Sequence, residues 1–314
     1  MKQIISLAVS IAILGAIYLV IDIGSLLRAL RGVDVPLTIS ALAVFVPILS
    51  IMAWRLKVLI PTDHRPSLAE ALRLILSASA MNMVLPSKMG DVAKSAFMKK
   101  SGGLSGSKAL AVVVLEKTSD VLALLVWCVF GLMVVSPSGP FFQVLFAAVA
   151  LGLLFCIVML GSLRFADFFF VVAFRIVPQK LGAKIGNLRN AWHEMHGFFW
   201  RHAKFSLGII FTSIVLWFLN LAQIWLFALA VGGDVPFIDN LALAPLALLA
   251  GLLPLTFAGI GTRDAALIVL FQPFMDSGTA AALGLFCTLR YIVPALAGLP
   301  FLTGYLEALR NNGD

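Results

Sequence analysis

A first group of polar side chains interrupts a strongly apolar stretch of the sequence near Pro86. Its members are Asn82, Lys88, Gly90, Asp91 and Lys94. Gly90 permits a turn, and Asp91 is a favourable N-cap for a helix that starts at Val92. The positive end of that helix, together with Lys88, would bind an anion. The alternative is a cytoplasmic helix-turn-helix whose charges are simply solvated.

A second polar group lies far along the chain and has a similar composition. Its members are Gly259, Gly261, Thr262, Arg263 and Asp264. The glycines allow a close backbone approach, and Thr262 can cap a helix that begins at Arg263. The planar guanidinium of Arg263 matches the oxygens of a phosphate group. The alternative is a tight outer loop in which Arg263 and Asp264 neutralise each other.

A third group lies inside two long apolar runs. Its members are Glu116, Lys117, Asp120 and Arg290. Glu116 and Asp120 are four residues apart and share one helix face. All four lie roughly 15–21 Å from the start of their runs at helical rise, which is near the middle of a bilayer. Charges at that depth are costly and often line substrate pathways. The alternative is an internal salt bridge, such as one between Glu116 and Arg290, that only holds helices together.

The composition of the chain makes charged residues inside its apolar runs unusual. The 314 residues are 61% hydrophobic and 12% charged, with a mean hydropathy of +1.04. Only a bilayer allows so much apolar surface to remain out of water, so we expect an integral membrane protein. The net charge of +8 is attributed to cytoplasmic loops and not to nucleic-acid binding. The three cysteines are expected to be small buried hydrophobic residues, and no metal or other cofactor is predicted.

Apolar runs of sufficient length predict about six transmembrane helices. They cover 3–21, 37–54, 106–134, 140–163, 206–231 and 279–308. Two further apolar stretches, 67–98 and 238–271, are broken near their middles by Pro, Gly and charged residues. We interpret them as re-entrant helical hairpins.

The distribution of Lys and Arg orients these elements, because cytoplasmic loops carry the excess of positive charge. Basic residues flank 67–98 on both sides, whereas the connections near 232–237 and 272–278 carry none. The first hairpin is therefore expected to enter from the cytoplasm and the second from outside. Arg55, Lys57 and Arg65 are counted among the cytoplasmic loop charges, and both termini are placed in the cytoplasm. The loop 22–36 carries charges of both signs and does not orient clearly.

The predicted fold is an all-α polytopic membrane protein that forms a single domain over 1–314. A span, a hairpin and a span recur in inverted order, with repeat one at about 37–134 and repeat two at about 206–308. Such inverted repeats are typical of transporters. An amphipathic cytoplasmic linker at about 164–205 is predicted between them, with Trp192 and Phe199 on its apolar face.

The three polar groups, taken in order, resemble the flippase-like membrane domain of lysylphosphatidylglycerol synthases and the stand-alone proteins built from that domain. The resemblance is carried by Asn82, Leu85-Pro86, Lys88, Gly90-Asp91 and Lys94, then Glu116-Lys117-Thr118-Ser119-Asp120, then Gly259-Ile260-Gly261-Thr262-Arg263-Asp264. This chain has Lys where Arg is common in the family at 88, 94 and 117, which removes bidentate recognition there. The family's soluble aminoacyl-transferase domain is absent from this sequence. The resemblance implies lipid translocation and not lipid lysylation.

We therefore predict a lipid translocase of the bacterial cytoplasmic (inner) membrane that is not an enzyme. The residues named in the three groups, Arg290 included, are expected to bind an anionic or phosphate-bearing headgroup. One alternative is a membrane enzyme that uses a polyprenyl-linked sugar, although the longest stretch between spans is too short for a catalytic domain. Another is a non-transporting partner of a lipid-modifying enzyme. A homo-oligomer and a complex with a lipid-synthesis enzyme are both compatible with this prediction.

Overall fold

The computed structural model describes residues 15, 22–84, 90–101, 103–135, 139–176, 182–252 and 261–310. The predicted span 3–21 therefore lies outside the described residues except for Gly15, as do Lys88 and Gly259. All regular secondary structure in the described ranges is helical, and these ranges contain no strand. The predicted all-α class is confirmed.

The helices follow one another with short connections. They are α1 (Ile23–Arg31), α2 (Val35–Ala43), α3 (Phe45–Leu59), α4 (Leu68–Val84), α5 (Gly90–Ser101), α6 (Gly106–Val135), α7 (Pro140–Gly161), α8 (Leu163–Ile176), α9 (Gly182–Phe199), α10 (Ala203–Ala230), α11 (Phe237–Leu252), α12 (Thr262–Leu270) and α13 (Ser277–Arg310).

Five helical segments in the described ranges are long and apolar enough to cross a membrane. They are Val35–Leu59, Gly106–Val135, Phe142–Gly161, Ala203–Ala230 and Ser277–Thr303. Each coincides with a span predicted from the sequence, because about 20 apolar residues are a strong local signal. The chain is therefore a multi-pass membrane protein.

The two broken apolar stretches each form a pair of helices. Helices α4 and α5 pack on each other and form the first helix pair, and α11 and α12 do the same as the second helix pair. The residues that join the two members of each pair, 85–89 and 253–260, are outside the described ranges. The two members of each pair therefore lie side by side.

The first member of each helix pair packs against the long helix at the end of the other half. Helix α4 packs on α13, and α11 packs on α6. Both contacts depend on a glycine: a Cβ on Gly298 would lie 2.0 Å from the carbonyl oxygen of Leu76, and one on Gly131 would lie 2.0 Å from that of Ala242. Small residues allow membrane helices to approach this closely. The α4–α13 contact and the α11–α6 contact are therefore of the same kind, since each brings two helices close together at a glycine of the long helix.

Helices α8 and α9 occupy the predicted linker. The apolar face of α9 is buried, since Trp192, Met195 and Phe199 are at most 2% exposed. This face packs on α6, and Lys108 of α6 pairs with Glu194 of α9 at 2.6 Å. The apolar face of α9 is therefore covered by a neighbouring transmembrane helix.

A carboxylate joins α8 to α9. Asp167 accepts hydrogen bonds from Arg189 and is bound to His193, each at 2.7 Å. These bonds, first from Arg189 and then from His193, lower the pKa of Asp167 to about 2. The outer side of α8 remains apolar, with Phe168 and Phe169 exposed.

Candidate functional site

Four charged side chains from three helices form a buried charge cluster, which we define as Arg55, Lys94, Glu116 and Asp120. Glu116 of α6 is fully buried and pairs with Lys94 of α5 and with Arg55 of α3, the latter at 3.5 Å. Arg55 also binds Asp120 at 2.5 Å and the hydroxyl of Ser213 at 2.6 Å. Each buried cation therefore has a carboxylate partner, as the low dielectric requires.

Arg55 is the member of this cluster that the sequence analysis assigned to a cytoplasmic loop. The structure corrects this assignment, because Arg55 lies inside α3 and is 1% exposed. A local signal for this position existed. Leu56, Leu59 and Ile60 continue the apolar run beyond Arg55, and all three are buried. The partners Glu116 and Asp120, however, lie more than sixty positions away along the chain.

Lys117 lies beside the buried charge cluster in a more open setting. It contacts Asp91 of α5 at 3.2 Å and Asp120 at 3.7 Å. Its side chain is 38% exposed, compared with 18% for Asp91. The expectation that Asp91 caps a helix starting at Val92 is wrong, since α5 already includes Gly90 and the Asp91 carboxylate is bound to Lys117.

A cavity of about 180 Å³ opens next to Lys117, between α3, α4, α5, α6 and α13. The residues that line it are Met52, Ile75, Ala78, Ser79, Asn82, Met83, Asp91, Lys94, Lys117, Arg290 and Tyr291. Five of the predicted site residues, Asn82, Asp91, Lys94, Lys117 and Arg290, thus meet at one cavity. Gly90 lies at its edge, buried against Ala78 and Asn82 of α4.

Arg290 has a different environment from the other cations around the cavity. It donates hydrogen bonds to two amide oxygens of α10, from Nε to Gln223 at 3.2 Å and from Nη2 to Asn220. Its Nη1 atom is buried and has no hydrogen-bond partner among the described residues. The salt bridge suggested between Glu116 and Arg290 is therefore wrong, since Glu116 pairs with Lys94 and Arg55 instead.

The charges around the cavity do not cancel. Among the described residues, the cations are Arg55, Lys94, Lys117 and Arg290, and the carboxylates are Asp91, Glu116 and Asp120. One positive charge is left without a counter-ion among these residues. Of the cations that line the cavity, Arg290 has a buried donor, Nη1, with no hydrogen-bond partner among the described residues; Nε of Arg55 also has none, but Arg55 does not line the cavity. An isolated charge inside a membrane protein is costly. The cavity is therefore suited to an anion.

The second polar group forms a separate structure. Arg263 binds the Asp264 carboxylate through Nε at 2.8 Å and Nη2 at 2.5 Å, and it also reaches the Gly284 carbonyl and the Thr288 hydroxyl of α13. Arg263 is 1% exposed and is not among the residues that line the cavity. The pairing of Arg263 with Asp264 matches the alternative weighed for this motif, but the pair is buried against α13 and not exposed in a loop.

The start of α12 also differs from expectation. The helix begins at Thr262, and Gly261 occupies the N-cap position with φ of 105°, which only glycine adopts readily. The Asp264 carboxylate accepts a hydrogen bond from the Gly261 N–H at 2.9 Å. Thr262 is therefore the first helical residue and not the cap.

The fold and the site together define an all-helical, multi-pass membrane protein with a charged cavity inside its helix bundle. The sequence model of one family, described as the lysylphosphatidylglycerol synthase TM region, matches residues 3–298. Because the match covers most of the chain, the protein belongs to this family, whose membrane region is linked to lipid handling. Comparisons with curated proteins and with solved structures gave no match.

Proposed function

We propose that the protein moves an anionic or phosphate-bearing lipid headgroup across the cytoplasmic membrane. The observation that carries this proposal is Arg290, a half-buried cation on the cavity whose buried Nη1 donor has no hydrogen-bond partner among the described residues. Guanidinium groups bind phosphate oxygens through charge-assisted hydrogen bonds. Lys117 and Lys94 line the same cavity and add positive charge.

The size of the cavity favours a headgroup over a whole lipid. Its volume of about 180 Å³ is below the roughly 300 Å³ at which pockets begin to enclose drug-sized ligands. The headgroup would occupy this cavity, and the acyl or prenyl chains would remain in the bilayer. Lipids with long tails are therefore accepted on the basis of the headgroup charge.

The arrangement that would move the headgroup is an inverted repeat with two re-entrant hairpins. Support comes from the equivalent contacts of the halves, in which α4 packs on α13 and α11 packs on α6. The distribution of Lys and Arg places the first helix pair on the cytoplasmic side and the second on the outer side. Rocking of one repeat against the other would then alternate access to the cavity.

The linker helices would hold the protein at the cytoplasmic leaflet. The exposed Phe168 and Phe169 of α8 continue an aromatic surface through Phe155 of the apolar helix α7, with ring centroids of Phe155 and Phe169 at 5.7 Å. Arg164 and Arg175 on the same helix are exposed and can reach lipid phosphates. We assign α8 to the membrane interface, while α9 covers α6.

Translocation can be tested with purified protein in liposomes that contain fluorescent phosphatidylglycerol, read out by dithionite quenching of the outer leaflet. The variant Arg290→Gln removes the guanidinium and should slow translocation by about ten- to a hundredfold, since hydrogen bonds to charged groups contribute roughly 1.5–3 kcal/mol. Arg201→Gln, at an exposed arginine between α9 and α10 that does not line the cavity, is the matched control and should behave like the wild type.

Two results would contradict the proposal. Equal translocation by wild type and Arg290→Gln would mean that Arg290 does not hold the headgroup. If the protein retains anionic lipid, identified by mass spectrometry, but transports none, a role as the non-transporting partner of a lipid-modifying enzyme replaces translocation. The proposed activity is transport and includes no covalent step.

A further inference from the structure

Lys117 differs from the buried charge cluster in how firmly it is held. Arg55 contacts Asp120 at 2.5 Å, and the side chains of Arg55 and Lys94 are at most 2% exposed. Lys117 is 38% exposed, and its contacts with Asp91 and Asp120 are longer, at 3.2 and 3.7 Å. A half-buried pair at these distances is held less firmly than the shorter, fully buried lysine pair of the charge cluster. Lys117 is therefore the cation at this site that can most readily change its partner.

The two helix pairs are tied to their long helices in different ways. In the second pair, Arg263 of α12 reaches the Gly284 carbonyl and the Thr288 hydroxyl of α13, and it is 1% exposed. In the first pair, α5 is tied to α6 by the buried Lys94–Glu116 ion pair and by the Asp91–Lys117 contact. The Asp91–Lys117 contact is the more exposed of these two ties, and both of its residues line the cavity. It is therefore the tie that a ligand in the cavity can most readily exchange.

We propose that Asp91 acts as an internal substitute for the anionic headgroup. In the empty protein Asp91 holds Lys117, and an arriving headgroup takes its place on Lys117 while it also binds Arg290. This exchange would loosen α5 from α6 at the cavity, where the Lys94–Glu116 pair remains, while Arg263 keeps α12 fixed to α13. The inference rests on the proposed function, because it assumes that an anionic headgroup enters the cavity. Asp91 is a positioning residue that acts through Lys117.

The charges around Lys117 support the exchange. The charged groups that interact electrostatically with Lys117 are Asp91, Glu116, Asp120 and Arg55. Glu116 and Asp120 are already engaged by Lys94 and Arg55, so Asp91 is the carboxylate that depends most on Lys117. A lysine is a compact point charge on a flexible stem, and it can move between two anions without a fixed geometry.

The exchange predicts effects of opposite sign for one substitution. Asp91→Asn removes the competing carboxylate, so anionic lipid should bind about two- to fivefold more tightly, the range expected for a partly exposed pair. Translocation at saturating lipid should slow by a similar factor, because the headgroup leaves more slowly when no carboxylate returns to displace it. A merely structural role for Asp91 would weaken both binding and transport.

Binding can be measured by calorimetry on the purified full chain in neutral detergent, with short-chain phosphatidylglycerol as one ligand and inorganic phosphate as the other. Asp91→Glu keeps the charge and should remain within about twofold of wild type. Asp239→Asn is the matched control, since Asp239 also lies in the first turn of a helix but does not line the cavity. Tighter binding of the lipid alone would assign the site to a headgroup, and tighter binding of both ligands would assign it to phosphate in general.

The double variant Asp91→Asn/Lys117→Gln separates the proposed route from a simple change in net charge. If Asp91 acts through Lys117, the tightening disappears in the Lys117→Gln background, because interacting residues are not additive. Tightening of the same size in that background would overturn the proposal, as would unchanged or weaker binding by Asp91→Asn alone. Thermal unfolding of each variant identifies any that fail to fold, and Asp91→Glu then still tests the need for a carboxylate.

Spin labels provide a test that does not depend on transport. The first pair of labels is placed at Val92 of α5 and Val121 of α6, and the second at Val269 of α12 and Leu285 of α13, all exposed side chains. Anionic lipid should broaden or shift the distances of the first pair and leave the second unchanged, and the reverse result overturns the inference. If the wild type transports nothing but Asp91→Asn still binds more tightly, the exchange stands and the translocase proposal falls.

Discussion

The buried charge cluster should be sensitive to the loss of Glu116 above all. Glu116→Gln keeps the size of the side chain but removes the carboxylate that pairs with both Lys94 and Arg55. Arg55 would retain Asp120 and Ser213, whereas Lys94, 2% exposed, would keep no carboxylate partner among the described residues. An uncompensated buried charge is therefore created at Lys94.

The size of this effect follows from the burial. Breaking a buried ion pair by removing one partner costs about 3–5 kcal/mol. Asp120→Asn should cost less, because Asp120 is 21% exposed and Arg55 keeps Glu116. Replacing both partners with the pair Glu116→Gln/Lys94→Met should recover much of the loss, since no unpaired charge then remains.

The native cysteines supply an assay. Cys128, Cys156 and Cys287 are buried, so a thiol-reactive dye labels them only as the protein unfolds. Unfolding in increasing denaturing detergent, followed by this labelling, gives the free energy of unfolding for each variant. A loss below about 1 kcal/mol for Glu116→Gln, or a double variant less stable than the single one, would refute the assignment of Glu116 as the central buried counter-ion.

Two further predictions concern other parts of the molecule. Burial lowers the pKa of His196 below 6.5, so the unfolded chain binds a proton more readily than the folded one as the pH falls through 6.5. The stability of the folded protein should therefore decrease from about pH 6.5 toward about pH 5. His196→Phe should remove this decrease in unfolding curves measured at about pH 6.5 and about pH 5. Gly298→Ala would place a Cβ 2.0 Å from the Leu76 carbonyl oxygen and should destabilise the protein by about 1–3 kcal/mol. Gly208→Ala is the control, because a Cβ there meets nothing within 4 Å, and it should change the unfolding curve little.

The sequence alone predicted many members of the site but few of their pairings. Asn82, Asp91, Lys94, Lys117 and Arg290 stood out because polar side chains are conspicuous in an apolar chain, and all five line the cavity. Arg55 did not stand out, since it lies near other basic residues at the end of an apolar run. Arg263 was predicted to face a headgroup, but the structure places it against α13, where it is bound to Asp264.

What the sequence by itself determined is the all-helical, multi-pass architecture, because hydropathy and helix length are local properties of about 20 residues. What only the tertiary structure decided is which charges neutralise one another. The partners of Glu116 lie on α3 and α5, and those of Arg290 lie on α10. Coulomb attraction in a low dielectric acts over a few ångströms of space and is indifferent to separation along the chain. The charge left over at the cavity could be recognised only after those distances were known.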